Sequence, residues 1–243
     1  MKIGVVVRSF VSDPSIGISM ATKAEAIGLD GVFVFDHLWP LGSPNKPALA
    51  AFPMLAALAG VTKKISIGTL VARVGLVPNP VLINHFVTLE KLSKGRVIAG
   101  VGTGDKMSAV ENISYGLGYG SALERRRSLY WCARELQKLN IKVWIGGGSE
   151  KTNQIATDLG IGLNLWSPAL PYLSQQQNLE LTWAGPIPKG EGSAIQRATQ
   201  HIFALSKLNV KWAIFDYSFS DPVQKNKDIL FVLETVMKNL DIR

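Results

Sequence analysis

Short apolar runs, rich in β-branched and aromatic residues, alternate along the chain with longer stretches whose apolar positions recur every three to four residues. The runs are IGVVV from Ile3, GVFVF from Gly31, ISIGTLV from Ile65 and RVIAGVG from Arg96, then KVWIGGG from Lys142, IGLNLW from Ile161, LELTWAG from Leu179 and VKWAIFDYS from Val210. A strand with one wet face alternates apolar and polar positions; these do not, so each reads as a strand covered on both faces. The intervening period predicts helices near 15–28, 48–61, 79–93, 121–139, 149–158, 169–177, 193–208 and 222–240. Asn79-Pro80 and Asp221-Pro222 place a capping side chain before a proline at a first helical turn, and Gly28, Gly95 and Gly160 stop three helices just ahead of the next strand.

Strict strand–helix alternation demands parallel pairing with helical crossovers, and eight units predict an α/β fold closed into a (β/α)8 TIM barrel, one domain over residues 1–243. An open doubly wound sheet carries a glycine cluster after its first strand, whereas this first strand runs into Arg8 and Ser9. Hydrophobic residues make up 47% and charged residues 18%, which suits a large buried core and argues against disorder. Cys132 is the single cysteine, so no internal disulfide can form, as expected in a reducing compartment. The first apolar run is interrupted at Arg8, too early for a signal-peptide core or a membrane span, so the expected location is cytoplasmic, with no membrane partner. The net charge is +8, but the basic residues are scattered and no helix-turn-helix, zinc or RNP-like pattern accompanies them, so no nucleic-acid partner is expected.

In a barrel of this type the chemistry gathers at the carboxyl ends of the strands. Polar residues do collect there: Asp36-His37, Thr69 and Arg73, Gly102-Thr103-Gly104-Asp105, Gly146 to Ser149, Asn164 and Trp166, and Asp216-Tyr217. An imidazole such as His37 exchanges protons near neutrality. Asp36 points the opposite way on an extended chain and reads as a ligand-binding group. Asp105 reads as a second acid–base group or, alternatively, as a helix cap. The segment 102–120 reads as a long glycine-rich loop. Gly146, Gly147 and Gly148 precede a helix start at Ser149, where backbone amides and the helix dipole suit a phosphate, and Arg125 is placed to reach the same anion. His85 and His201 fall inside helical stretches and carry no expected role, and no metal-ligand spacing occurs.

The segments AEAIGLDGVFVFDHL, LAALAGVTKKISIGTLV, NPVLINHFVTLEKLSKGRVIAGVGTGD and VWIGGGS together resemble the luciferase-like monooxygenase superfamily, which includes bacterial luciferase and deazaflavin F420-dependent oxidoreductases. They cover most of residues 21–150. The resemblance implies a barrel that binds F420 or FMN at its carboxyl rim. His37 would be the active-site imidazole, Asp105 would stand where relatives carry a proton-donating glutamate one methylene longer, and Asp36 would contact the cofactor. A non-prolyl cis peptide is implied at Leu70-Val71, following Thr69, with Gly102 and Thr103 beside it and Gly146 to Ser149 as the phosphate turn. The implied activity is F420-dependent hydride transfer to or from a small organic substrate. An FMN-dependent monooxygenase and a non-catalytic flavin-binding barrel are the alternatives. A homodimer is implied as well, and the spacing after the seventh strand leaves no room for the lid insertion of longer relatives.

Overall fold

The computed structural model describes residues 1–40, 42–176, 179–216 and 229–240. In chain order the elements are β1 (Lys2–Val6), α1 (Pro14–Ala26), β2 (Gly31–Val34), α2 (Ala51–Val61), β3 (Ser66–Thr69), β4 (Ala72–Arg73), α3 (Asn79–Ser93), β5 (Val97–Gly102) and α4 (Lys106–Ser114). Then follow α5 (Ala122–Lys138), β6 (Lys142–Gly146), α6 (Glu150–Leu159), β7 (Gly162–Trp166), α7 (Leu170–Ser174), β8 (Leu181–Pro186), α8 (Ala194–Lys207), β9 (Trp212–Asp216) and α9 (Ile229–Asn239). Tyr217 and the Asp221-Pro222 start of the last expected helix lie outside the described residues.

All strand pairings are parallel, in the order β3-β2-β1-β9-β8-β7-β6-β5-β4, and β3 also pairs with β5, which closes the ring. β3 and β4 are two halves of the third barrel strand, so the barrel has the eight strands the apolar runs predict. Gly68 stands opposite Ile98 and Ala72 opposite Val101, four steps on one strand against three on the other. The third strand therefore carries one extra residue, a bulge at Leu70 and Val71, whose connecting peptide bond is cis. The connection from β8 to α8 is short, spanning 187–193, and holds no inserted lid.

Two departures from the sequence reading stand out. Residues 102–120 are not a plain loop but contain α4, capped by Asp105 and Ser108. Asn79 does not cap α3; it is the first helical residue, and its Oδ1 accepts a hydrogen bond from the Ser128 hydroxyl.

The core has two layers. The larger lies between strands and helices, and the smaller fills the barrel bore with Val6, Phe33, Phe35, Leu70, Ile98, Trp144, Ala184, Trp212 and Ile214. Phe33, Trp144 and Trp212 pack with ring centres 5.4–5.8 Å apart. Glycines make room for them: a Cβ at Gly31 would come within 2.7 Å of Trp212, and one at Gly162 within 2.4 Å of Trp144. Three rings stop the bore, and open space remains at the carboxyl mouth.

His201, on α8, sits edge-on to Trp183 at 4.4 Å, with its Nε2 buried and without a hydrogen-bond partner among the described residues. Burial pushes its pKa down to about 4. An unfolded histidine titrates near 6.5, so between about pH 6.5 and 4 the unfolded chain holds a proton that the folded chain refuses, and stability falls as pH drops through that window. His201→Phe is expected to flatten this part of the curve, measured as the difference in urea midpoint between about pH 7 and pH 5 for variant and wild type.

Candidate active site

The mouth opens into a cavity of about 610 Å³, within the usual range for a cofactor or small-ligand site. The wall includes Asp36, His37, Leu70, Val71, Gly102, Thr103, Asp105 and Gly146 to Ser149, so most of the residues singled out from the sequence share one space. Thr69 and Arg125 do not line it. Thr69 is buried, its hydroxyl donating to the Gly100 carbonyl at 2.6 Å. Arg125 donates to the carbonyls of Thr103 and Gly120 and stacks 4.0 Å over the Tyr119 ring, so it braces the 103–120 segment.

One side of the cavity is aromatic. Phe10 stacks on Phe35 at 5.7 Å, Trp166 meets Phe35 edge-on at 5.5 Å, and the His37 ring lies 6.4 and 6.5 Å from the two phenyl rings. Gly102, Gly104 and Gly146 to Gly148 form another part of the wall. A Cβ at Gly102 or Gly146 would fall 2.6 or 2.7 Å from a Val71 methyl, so these glycines let Val71 lie across the strand ends. In the turn before α6, the Gly147 amide donates to the Asn164 carbonyl at 2.8 Å and the Gly148 amide to Asn153 Oδ1 at 3.2 Å. Those two amides hold the turn's shape. The Thr152 amide is capped by Ser149, so the donors left for an anion are the Glu150 and Lys151 amides, beside the hydroxyls of Ser149 and Thr152, which are 2.8 Å apart.

Asp105 is engaged in its cap: Oδ1 accepts from the Ser108 amide at 2.9 Å and the Ser108 hydroxyl at 3.0 Å. Burial pushes its carboxyl upward, and these bonds outweigh it, leaving the pKa below the ordinary value. Asp36 accepts from the Arg73 amide at 3.1 Å; burial raises its pKa, with Arg73 offsetting only part.

The residue that meets His37 is not among those the sequence pattern points to. Glu111, on α4, is fully buried. Its Oε1 accepts from His37 Nδ1 at 2.7 Å, and its Oε2 accepts from the Leu38 amide at 3.0 Å and from Arg73 Nη2 at 2.9 Å. Burial works against its charge, but the bonds from His37 and Leu38 and the charge of Arg73 bring its pKa below the ordinary value. Arg73 is 3% exposed, and its Nε and Nη1 have no partner among the described residues. Donors left in this way are ordinarily met by ordered water or a ligand oxygen. The signal that would have found Glu111 is the Asp105-x-x-Ser108 capping spacing, which starts a helix where the glycines suggested a loop.

A closed α/β barrel with an imidazole and a glycine-rich helix start at its carboxyl mouth places the chain in the class of barrels whose site lies at that mouth. Residues 1–136 match the family model described as luciferase-like monooxygenase, and the chain belongs to that family. Over 111 residues it is 35% identical to the F420-dependent glucose-6-phosphate dehydrogenase of Amycolatopsis mediterranei, and over 134 residues 33% identical to that of Nakamurella multipartita. These stretches cover 45% and 55% of this chain but only 33% and 38% of those enzymes. Among solved structures, an F420-dependent secondary alcohol dehydrogenase in complex with an F420–acetone adduct is similar with a TM-score of 0.77 at 15% identity, over 98% of this chain and 97% of that one. The monooxygenase RslO1 from Streptomyces bottropensis gives a TM-score of 0.74 at 11% identity, over 99% and 100%. At such identities the likeness is one of fold. Among the described residues no helix is long and apolar enough to cross a membrane, and no group of His, Cys, Asp and Glu is arranged to hold a metal ion.

Proposed function

We propose that the chain is an F420-dependent oxidoreductase exchanging a hydride with a small organic substrate that carries a hydroxyl or carbonyl group. What carries the reading is a coincidence of location: residues 1–136, which match the luciferase-like family model, also supply His37, Asp36, Arg73 and the bulge at Leu70-Val71 on the cavity wall. The cavity suits a flat ring system, with a wall free of Cβ atoms at Gly102 and Gly146 and anion donors at the start of α6. F420, when bound, supplies the hydride-accepting and hydride-donating ring. Val71, Gly102 and Gly146 would face that ring, and Ser149 with the α6 amides would hold the phosphate. His37 takes the hydroxyl proton in the oxidising direction and returns it to the carbonyl oxygen in the reducing one. Phe10, Phe35 and Trp166 exclude water from one flank of the imidazole. Asp105 secures α4 through its cap.

The formal charge of +8 favours the acidic tail of F420 over the single phosphate of FMN. Titrating the protein with each cofactor, followed by quenching of Trp166 on the cavity wall and by the cofactor's visible spectrum, is expected to give F420 a Kd at least about tenfold lower, a difference near 1.4 kcal/mol. Tighter binding of FMN would replace this reading with an FMN-dependent monooxygenase.

A further inference from the structure

We infer that Glu111, held by Arg73, is a positioning residue that fixes His37 with its proton on Nδ1 and a bare lone pair on Nε2. The inference deepens the proton-transfer reading of His37 and rests on it for its catalytic meaning, though not for its geometry.

The charge state of the carboxylate decides where the ring proton sits. An ionised carboxylate only accepts hydrogen bonds, so the hydrogen in the 2.7 Å contact to His37 must sit on Nδ1. Whether Glu111 is ionised is decided by its neighbours. Buried completely, it would be neutral if alone, but Arg73 contributes a fixed positive charge at 2.9 Å and the Leu38 amide a further donor at 3.0 Å. A neutral Glu111 could instead donate to Nδ1, which would move the ring proton to Nε2 and turn the cavity-side nitrogen from acceptor into donor. Arg73 thus sets the direction in which His37 first moves a proton.

The two oxygens have separate duties. Among the described residues Oε1 serves His37 alone, while Oε2 receives both Leu38 and Arg73. Leu38 follows His37 in the chain, so one carboxylate holds both the ring and the backbone beside it. The parts come from three places: His37 after β2, Arg73 at the end of β4 past the bulge, and Glu111 on α4. Asp105 enters only as the cap that starts α4.

Glu111→Gln gives a sharp consequence. The position with two donors must receive the amide oxygen, so the NH2 group takes the place of Oε1 and points at Nδ1. It donates there, and the ring proton moves to Nε2. The test is nitrogen NMR on protein labelled in histidine, without ligand, at a pH where the ring is neutral, with the His37 signals assigned by their loss in His37→Asn. Wild type is expected to show a protonated Nδ1 and a bare Nε2, and Glu111→Gln the reverse. A wild-type ring with its proton on Nε2 overturns the inference without any variant, and so does a tautomer unchanged in a folded Glu111→Gln protein. Should that variant fail to fold, the wild-type spectrum still decides. The function reading is tested separately: the expected tautomer together with failure to bind F420 would leave the positioning intact and remove the proposed activity.

Discussion

His37→Asn is expected to lower kcat with F420 by about 10²–10⁴-fold, the usual range for loss of a positioned acid–base group. Asparagine is chosen because its amide can still donate to Glu111, so the buried carboxylate keeps a partner and the variant tests chemistry rather than folding. His37 contacts the cavity with 23% of its side chain exposed, while the carboxyl groups around it are engaged elsewhere or with it: Asp36 accepts from the Arg73 amide, Asp105 from Ser108 in its cap, and Glu111 from His37 itself. His37 is therefore the group proposed to carry the proton. F420 binding is expected to change by less than about threefold, since the imidazole contributes to the step and not to the glycine-lined wall. The measurement is steady-state F420 absorbance with a panel of small alcohols and sugar phosphates, beside a binding titration of the same variant. An unchanged kcat would remove His37 from the mechanism. A wild type that binds F420 yet oxidises nothing in the panel would favour the non-catalytic barrel.

The eight strands were legible because parallel strands covered on both faces must be apolar throughout, and runs such as GVFVF and KVWIG have no other economical reading. The rim was legible because those runs end abruptly in polar residues. The pairing of residues across the rim was not. Glu111 lies 74 residues from His37, on a helix whose outward face carries exposed Met107, Val110 and Ile113, so its apolar pattern does not mark which side is buried. Arg73 was visible as a polar residue at a strand end, but its burial depends on the one-residue bulge, which only the register with β5 reveals. Arg125 shows the opposite limit. Its charge suggested an anion, and two carbonyls with a tyrosine ring hold it instead.

The bulge also sets the second large effect. Gly100 faces it from β5, and a Cβ there would lie 2.2 Å from the Thr69 carbonyl oxygen and 3.1 Å from a Val71 methyl. The nearest obstacle is backbone, tied to Gly100 in turn through the Thr69 hydroxyl, so no side chain can swing aside to relieve it. Gly100→Ala is expected to cost about 3 kcal/mol or more, read as a lower urea midpoint or as insoluble protein. The same change at Gly60 is expected to act in the other direction. That glycine is exposed near the end of α2, and nothing lies within 4 Å of the point its Cβ would occupy, so alanine gains about 0.5–1 kcal/mol of helix propensity. Opposite signs from one substitution would show that the chain's glycines divide into those the barrel's closure requires and those it merely tolerates. If Gly100→Ala melts with wild type, the strands around Leu70 and Val71 do not approach as described, and the cavity wall built on them loses its support.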